Sequence, residues 1–333
     1  MTPEPDYLPA RWLPGPHAMT VYAGVARVLP RPRAARVRWE LPDGDFLDLD
    51  RIAGPSPDAP VLVICHGLEG SSRAPYVRGL AARAAARGLA VAALNFRGCS
   101  GAPNRLPRFY HSGETGDLAL VVERLAAERP GRPIVLAGFS LGGNVVVKWM
   151  GERGAALPSE VRAGAAVSVP FDLARSAGAI DGTGFWLRVY RERFLRRLRA
   201  KALEKARRFP DRLDAPRIRA ARSFADFDAA VTAPLHGFPS AERYWAECSS
   251  GPFVAGVRRP LLLVSSLDDP MVPADTLPSE AARANPWVTL LATAAGGHVA
   301  FVAGPPLGAT YWAEARAVDF LARAAAPPAT SAT

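Results

Sequence analysis

Gly138-Phe139-Ser140-Leu141-Gly142 forms a G-x-S-x-G pattern, extended by Gly143, and it constrains this chain more than any other stretch. Before it, Pro133-Ile134-Val135-Leu136-Ala137 is a short apolar, β-branched run that suits a buried strand. After it, Asn144 to Met150 contains neither Pro nor Gly and can continue as a helix. Strand, sharp turn and helix is the setting of a nucleophile elbow. Such a turn forces its serine into a strained conformation, and flanking glycines remove the side chains that would collide there. Ser140 is the candidate nucleophile.

A serine hydroxyl needs a base, and the base needs an orienting group. In a strand–elbow–helix chain these follow as Ser, then Asp or Glu, then His. Of the five histidines, His298 in Gly296-Gly297-His298-Val299 follows the strand-like run Val288 to Ala292 and suits the base. The preceding strand, Pro260 to Ser266, runs into Leu267-Asp268-Asp269-Pro270-Met271-Val272-Pro273. Two adjacent aspartates compete there, and alternation of side chains lets only one face the histidine. The D-P-x-x-P-like turn, which follows the acid in many hydrolases of this chain order, favours Asp269. Asp268 is then left to cap or brace the turn. The oxyanion calls for two backbone donors: Leu141 N–H, after the nucleophile, and Leu68 N–H in His66-Gly67-Leu68-Glu69-Gly70, which follows the strand run 61–65. His66 reads as a brace for that loop, and Cys65 as a buried small hydrophobe.

With these segments in place, the chain resembles an α/β-hydrolase of the YheT-like branch, which includes the abhydrolase-domain lipases. The resemblance is carried by His66 to Ser71, Pro75-Tyr76, Gly79-Leu80, Asn95-Phe96-Arg97-Gly98-Cys99-Ser100-Gly101 with Asn104, and Tyr110 to Thr115. Gly138 to Asn144, Asp268-Asp269-Pro270 and Gly296 to Val299 complete it, over about residues 15–325. It implies a carboxylic-ester hydrolase with Ser140, Asp269 and His298 as triad, acting on short acyl esters, acylglycerols or phospholipids. Asn95 to Gly98 reads as a strand end and turn. Ser112 to Thr115 suits the cap of a helix near 118–129, with His111 bracing the loop outside the site.

Alternating strands and helices predict an α/β fold, a mostly parallel sheet covered on both faces. A hairpin is expected over 36–52, with further strands near 61–65, 89–94, 133–138, 163–169, 260–266 and 287–292. The rhythm breaks over 171–255, which reads as a helical cap within one domain spanning 1–333, and 325–333 reads as a disordered tail. Three widely spaced cysteines give neither a disulfide framework nor a zinc pattern. The N-terminus lacks an apolar h-region, and no apolar run approaches the roughly eighteen residues of a membrane span. Together these point to the cytoplasm.

Of 41 basic residues only Lys148, Lys201 and Lys205 are lysine, and residues 181–222 hold 14 basic against 5 acidic side chains, nearly all of the net charge of +10. Leu187, Tyr190, Phe194, Leu198 and Ala202 recur there at helical spacing, with arginines on the other faces. Such a helix packs its apolar side over a pocket and offers its charge to an anionic membrane surface. No nucleic-acid motif accompanies the charge. No ligand cluster supports a metal site, and no cofactor is called for. A dehalogenase or epoxide hydrolase would need a carboxylate where Ser140 stands. The expected function is therefore a serine esterase or lipase acting on a small-molecule or lipid ester. An acyltransferase or thioesterase using the same three residues, or a non-catalytic binding protein of this fold, is the alternative.

Overall fold

Val61–Cys65 is a run of five apolar residues buried on both sides, and its neighbours explain why it can be nothing but a central strand. Val61, Val63 and Cys65 face one apolar layer with Leu136 and Val145. Leu62 and Ile64 face the other, with Val77, Leu80 and Leu321. Period-2 alternation into two apolar layers is what a parallel sheet covered on both faces requires. The computed structural model describes residues 6–27 and 33–326.

The sheet has eight strands: β1 (Ala35–Glu40), β2 (Phe46–Ile52), β3 (Val61–Cys65), β4 (Ala90–Asn95), β5 (Ile134–Phe139), β6 (Val161–Val167), β7 (Leu261–Ser266) and β8 (Val288–Thr293). Their order is β1-β2-β4-β3-β5-β6-β7-β8. β1 and β2 form the expected antiparallel hairpin, turned at Gly44 with φ 83°. β2 also meets β4 antiparallel, and every later pairing is parallel. The fold is the α/β class read from the sequence, with strand ends shifted by one or two residues.

Helices α1 (Gly15–Val25), α2 (Pro75–Ala86), α3 (Gly116–Glu128) and α4 (Leu141–Arg153) are joined by a C-terminal helix, Trp312–Ala325. Thr115 stands at the N-cap of α3 but makes no capping bond; within the expected Ser112–Thr115 cap it is Glu114 whose Oε1 accepts from Gly116 N–H, the first amide of α3 (3.1 Å). The Thr115 backbone is already helical (φ −87°, ψ −18°), which turns its oxygen from the first-turn amides, and its hydroxyl donates to Glu152 instead (3.0 Å). The Asn95–Gly98 segment has a structural task. Buried Arg97 donates to Asp117 on α3 (2.7 Å) and to Asp43 (2.7 Å) and Asp45 (3.2 Å) in the hairpin turn.

Between β6 and β7 the chain makes helices, chief among them α5 (Leu173–Ile180) and α6 (Phe185–Arg208), and no strand. On α6, Tyr190, Leu198 and Ala202 are buried and Leu187 and Phe194 half-buried. The inward side is not purely apolar, because Lys205 is buried on it as well. Of the tail expected at 325–333, Ala325 ends the last helix, and residues 327–333 lie outside the described residues, as do Met1 to Pro5.

Candidate active site

The turn between β5 and α4 places Ser140 at φ 52°, ψ −121°, a conformation few residues other than glycine adopt. A Cβ on Gly138 would run into the carbonyl of Gly142, and one on Gly142 into the carbonyls of Cys65 and His66. Gly138 is thus required by the tightness of the elbow itself, and Gly142 by its crossing with the end of β3. Ser140 N–H donates to Val167 on β6 (2.8 Å), and its C=O accepts from Asn144 N–H (3.0 Å) in the first turn of α4.

His298 Nε2 lies 2.9 Å from Ser140 Oγ, and His298 Nδ1 lies 2.8 Å from Asp269 Oδ2 and 3.1 Å from Oδ1. Three side chains from three strand ends, 158 and 29 residues apart in pairs, form one hydrogen-bonded chain. The Asp269 carboxylate also accepts from Met271 N–H (2.9 Å) and Val272 N–H (3.2 Å), so it is fixed in its turn. Asp268 does a different job. Its Oδ1 accepts from Ser266 Oγ and from Gly297 N–H (2.9 Å), which braces the histidine loop. That loop is further held by His298 N–H donating to Thr20 Oγ1 on α1 (2.9 Å) and Val299 N–H donating to Ser168 Oγ (2.9 Å).

The loop after β3 supplies the other wall. A Cβ on Gly67 would come within 3.3 Å of Ser140 Cβ, so the loop lies against the serine. Gly67 N–H donates to Tyr76 OH (2.9 Å), Glu69 N–H to Tyr110 OH (2.7 Å) and Gly70 N–H to Gly67 O (3.0 Å). Among the described residues, Leu68 N–H alone in this run has no acceptor, and Leu141 N–H at the start of α4 has none either. Both residues line the cavity beside Ser140 and His298. A pair of unspent amides, one at a helix N-terminus, is suited to holding an oxyanion.

His66 is fully buried, with Nδ1 2.7 Å from Gly67 O and Nε2 accepting from Phe96 N–H at 3.2 Å. Burial pushes its pKa down to about 4, so it stays neutral and joins the ends of β3 and β4. Cys65 is fully buried, and burial pushes its thiol up to about 12. His111, placed outside the site by the sequence reading, lines the cavity wall, where burial lowers its pKa to about 3. Tyr76, Tyr110, Thr20 and Ser168, which orient the site's backbone, were not singled out for such a role, and only the two tyrosines fall inside motifs noted above.

The cavity over Ser140 measures about 470 Å³. Its floor is the strand-end loops, and its upper wall comes from α5 and α6, through Ile180, Phe194 and Leu198, with Phe224 and Phe227. Among the described residues no three His, Cys, Asp or Glu side chains gather as a metal would need, and no helix is long and apolar enough to cross a membrane.

The family model described as "alpha/beta hydrolase fold" matches residues 60–305. The chain is 35% identical over 320 residues to the putative esterase YheT of Escherichia coli, spanning 95% of this chain and 93% of that one. It is 33% identical to a monoacylglycerol lipase of Saccharomyces cerevisiae over 247 residues, 72% of this chain and 54% of the lipase. An esterase from Pyrococcus furiosus superposes with a TM-score of 0.58 at 19% identity, covering 96% of this chain and 97% of that one, and shares the fold.

Proposed function

The chain belongs to the α/β-hydrolase family, in its esterase and lipase group, and from that premise we propose that it is a serine carboxylic-ester hydrolase using Ser140, His298 and Asp269. The observation that carries this reading is the Ser140 Oγ–His298 Nε2 contact of 2.9 Å, continued by His298 Nδ1 to Asp269. Ser140 Oγ attacks the ester carbonyl carbon while His298 Nε2 takes the hydroxyl proton. Asp269 accepts the Nδ1–H bond, fixes the tautomer and stabilises the imidazolium that forms. The carbonyl π electrons move to oxygen, where Leu68 and Leu141 N–H hold the charge. Collapse expels the alcohol with the proton from His298. Water then opens the acyl-enzyme by the same steps in reverse.

In this reading residues 171–255 act as a cap, and the aromatic and aliphatic wall of the 470 Å³ cavity takes the acyl chain. The substrate is a short-chain or acylglycerol-type ester. An anionic membrane surface is part of the proposal, supported by Phe185, Trp186 and Val189 standing exposed beside Arg188 at the start of α6. A cytoplasmic setting accords with three free thiols, Cys65, Cys99 and Cys248.

The test pairs a fluorophosphonate probe with a chain-length series of p-nitrophenyl esters. Wild type should be labelled and turn over the esters, and Ser140→Ala should do neither. Equal labelling of both proteins would remove Ser140 from the mechanism.

A further inference from the structure

Gly67 to Gly70 is a four-residue turn closed by Gly70 N–H on Gly67 O (3.0 Å), with Leu68 and Glu69 at its centre. Glu69, third in the turn, has φ 51°. That position in a turn with positive φ is normally taken by glycine or asparagine, and a glutamate stays there only if its surroundings hold it. Here they do. Glu69 N–H donates to Tyr110 OH (2.7 Å), and Tyr110 OH donates back to Glu69 Oε1 (2.8 Å). The same Oε1 accepts from Lys201 Nζ on α6 (2.6 Å), and Glu69 C=O accepts from Arg197 Nη1 one helical turn earlier (3.3 Å). Both side chains of the ion pair are largely shielded, 15% exposed for Lys201 and 7% for Glu69.

We propose that Lys201 and Glu69 are a positioning pair through which α6 fixes the Leu68 peptide as an oxyanion donor. The proposal rests on the serine-hydrolase reading of the site. Freed from Lys201, Glu69 would relax to negative φ, and the Gly67–Gly70 turn that carries Leu68 N–H would lose the fixed shape that aims it. The helix that walls the cavity with Phe194 and Leu198 would thus also set the electrostatics over Ser140. Because the pair is shielded, removing one partner leaves a charge unmatched and should cost more than its absence from the start.

Steady-state hydrolysis of p-nitrophenyl acetate, whose acyl group is too short to fill the cavity, is measured for wild type, Lys201→Met, Lys201→Arg and Glu69→Gln. Affinity for an aryl trifluoromethyl ketone is measured beside it. Ser140 Oγ adds to that carbonyl, the oxygen becomes an alkoxide and the proton passes to His298, so its binding reports the oxyanion donors. Lys201→Met should lower kcat about 10- to 100-fold with KM little changed, weaken the ketone by a similar factor, and be largely rescued by Lys201→Arg. If Lys201→Met melts well below wild type, Glu69→Gln, which keeps the shape and the Tyr110 bond, is read in its place and should show the same split. A folded variant that keeps both kcat and ketone affinity overturns the pair, as does one that loses kcat and keeps the ketone. A wild type that neither turns over ester nor binds the ketone overturns the site reading itself, and the pair with it.

Discussion

The carboxyl edge of the sheet and the helical segment between β6 and β7 reach the same cavity by different means. At the sheet edge, functional atoms are placed by backbone: an elbow at positive φ, two unspent amides, and a histidine loop pinned by Thr20, Ser168 and Asp268. On α6, Phe194 and Leu198 wall the cavity, and long charged side chains tie the helix to the loops beside it. Arg197 and Lys201 reach Glu69, while Lys205 and Arg208 reach the carbonyl of Asn104 (2.8 and 3.1 Å). Backbone placement tolerates little change, because a single Cβ at Gly138 or Gly142 collides with main chain. Side-chain placement can be tuned one residue at a time. The chemistry is thus expected to sit at the first region and its adjustment at the second.

Breaking that division should show first at Asp269. Asp269→Asn leaves geometry intact but removes the group that fixes the His298 tautomer, and kcat should fall by about 10⁴ on any ester. Asp268→Asn removes an acceptor for Gly297 N–H and should lower kcat far less, with a drop in melting temperature; the reverse ranking in kinetics would move the acid to Asp268. Next comes Tyr110→Phe, which strips the acceptor of Glu69 N–H and one donor to Glu69 Oε1. A buried donor left without a partner costs about 1–3 kcal/mol, so reduced stability with a smaller loss of kcat is expected in thermal melts and p-nitrophenyl acetate assays.

The outward charge of α6 should matter only at surfaces. Arg188, Arg196 and Arg207 are exposed, their side chains have no partner among the described residues, and they lie off the cavity. Replacing all three with Gln should leave soluble-ester turnover unchanged and weaken sedimentation with anionic vesicles, at about 1 kcal/mol per residue. Salt-independent vesicle binding by wild type would count against the surface role. The smallest expected effect concerns Asp228, buried beside Thr232 Oγ1 (2.6 Å) and Trp245 Nε1 (2.8 Å) on the cavity wall. Burial pushes its carboxyl up to about 6, so the folded state holds its proton more tightly than the unfolded chain does. Its contribution to stability is present below the ordinary carboxylate range and is lost as pH rises through about 6. Asp228→Asn, which keeps both bonds, should melt a few degrees above wild type at pH 8, and the gap should close towards pH 4.

What could be read from the sequence follows the same division. The elbow announced itself because its glycines and its flanking strand are contiguous, and the strand runs because parallel strands buried on both faces are nearly all apolar. The choice between Asp268 and Asp269 rested on a turn pattern alone, and in the structure it is Asp269 that faces His298. Thr20, Ser168 and Tyr110 carry no local signal of their tasks, since each acts on a backbone amide far away in sequence. Lys201 and Lys205 were hidden for another reason. A charge count treats every cation on a helix as solvated surface, and only the packed structure shows which of them point inward to a carboxylate or a carbonyl.

The bond from His298 N–H to Thr20 Oγ1 spans 278 residues, and it has a consequence for the order in which this protein becomes active during synthesis. Domains generally fold as units as the chain emerges, at roughly 5–20 residues per second. The C-terminal helix packs with β5 and β6 in one apolar layer, so this unit is complete only once residues 312–325 have been made. Until then the Ser140 hydroxyl lacks the imidazole of His298, and α1 lacks the loop that Thr20 holds. Hydrolytic competence would arrive as a single late event, when the two ends of the chain meet. A chain cut short before residue 298 would lack both that imidazole and the helix that closes the core.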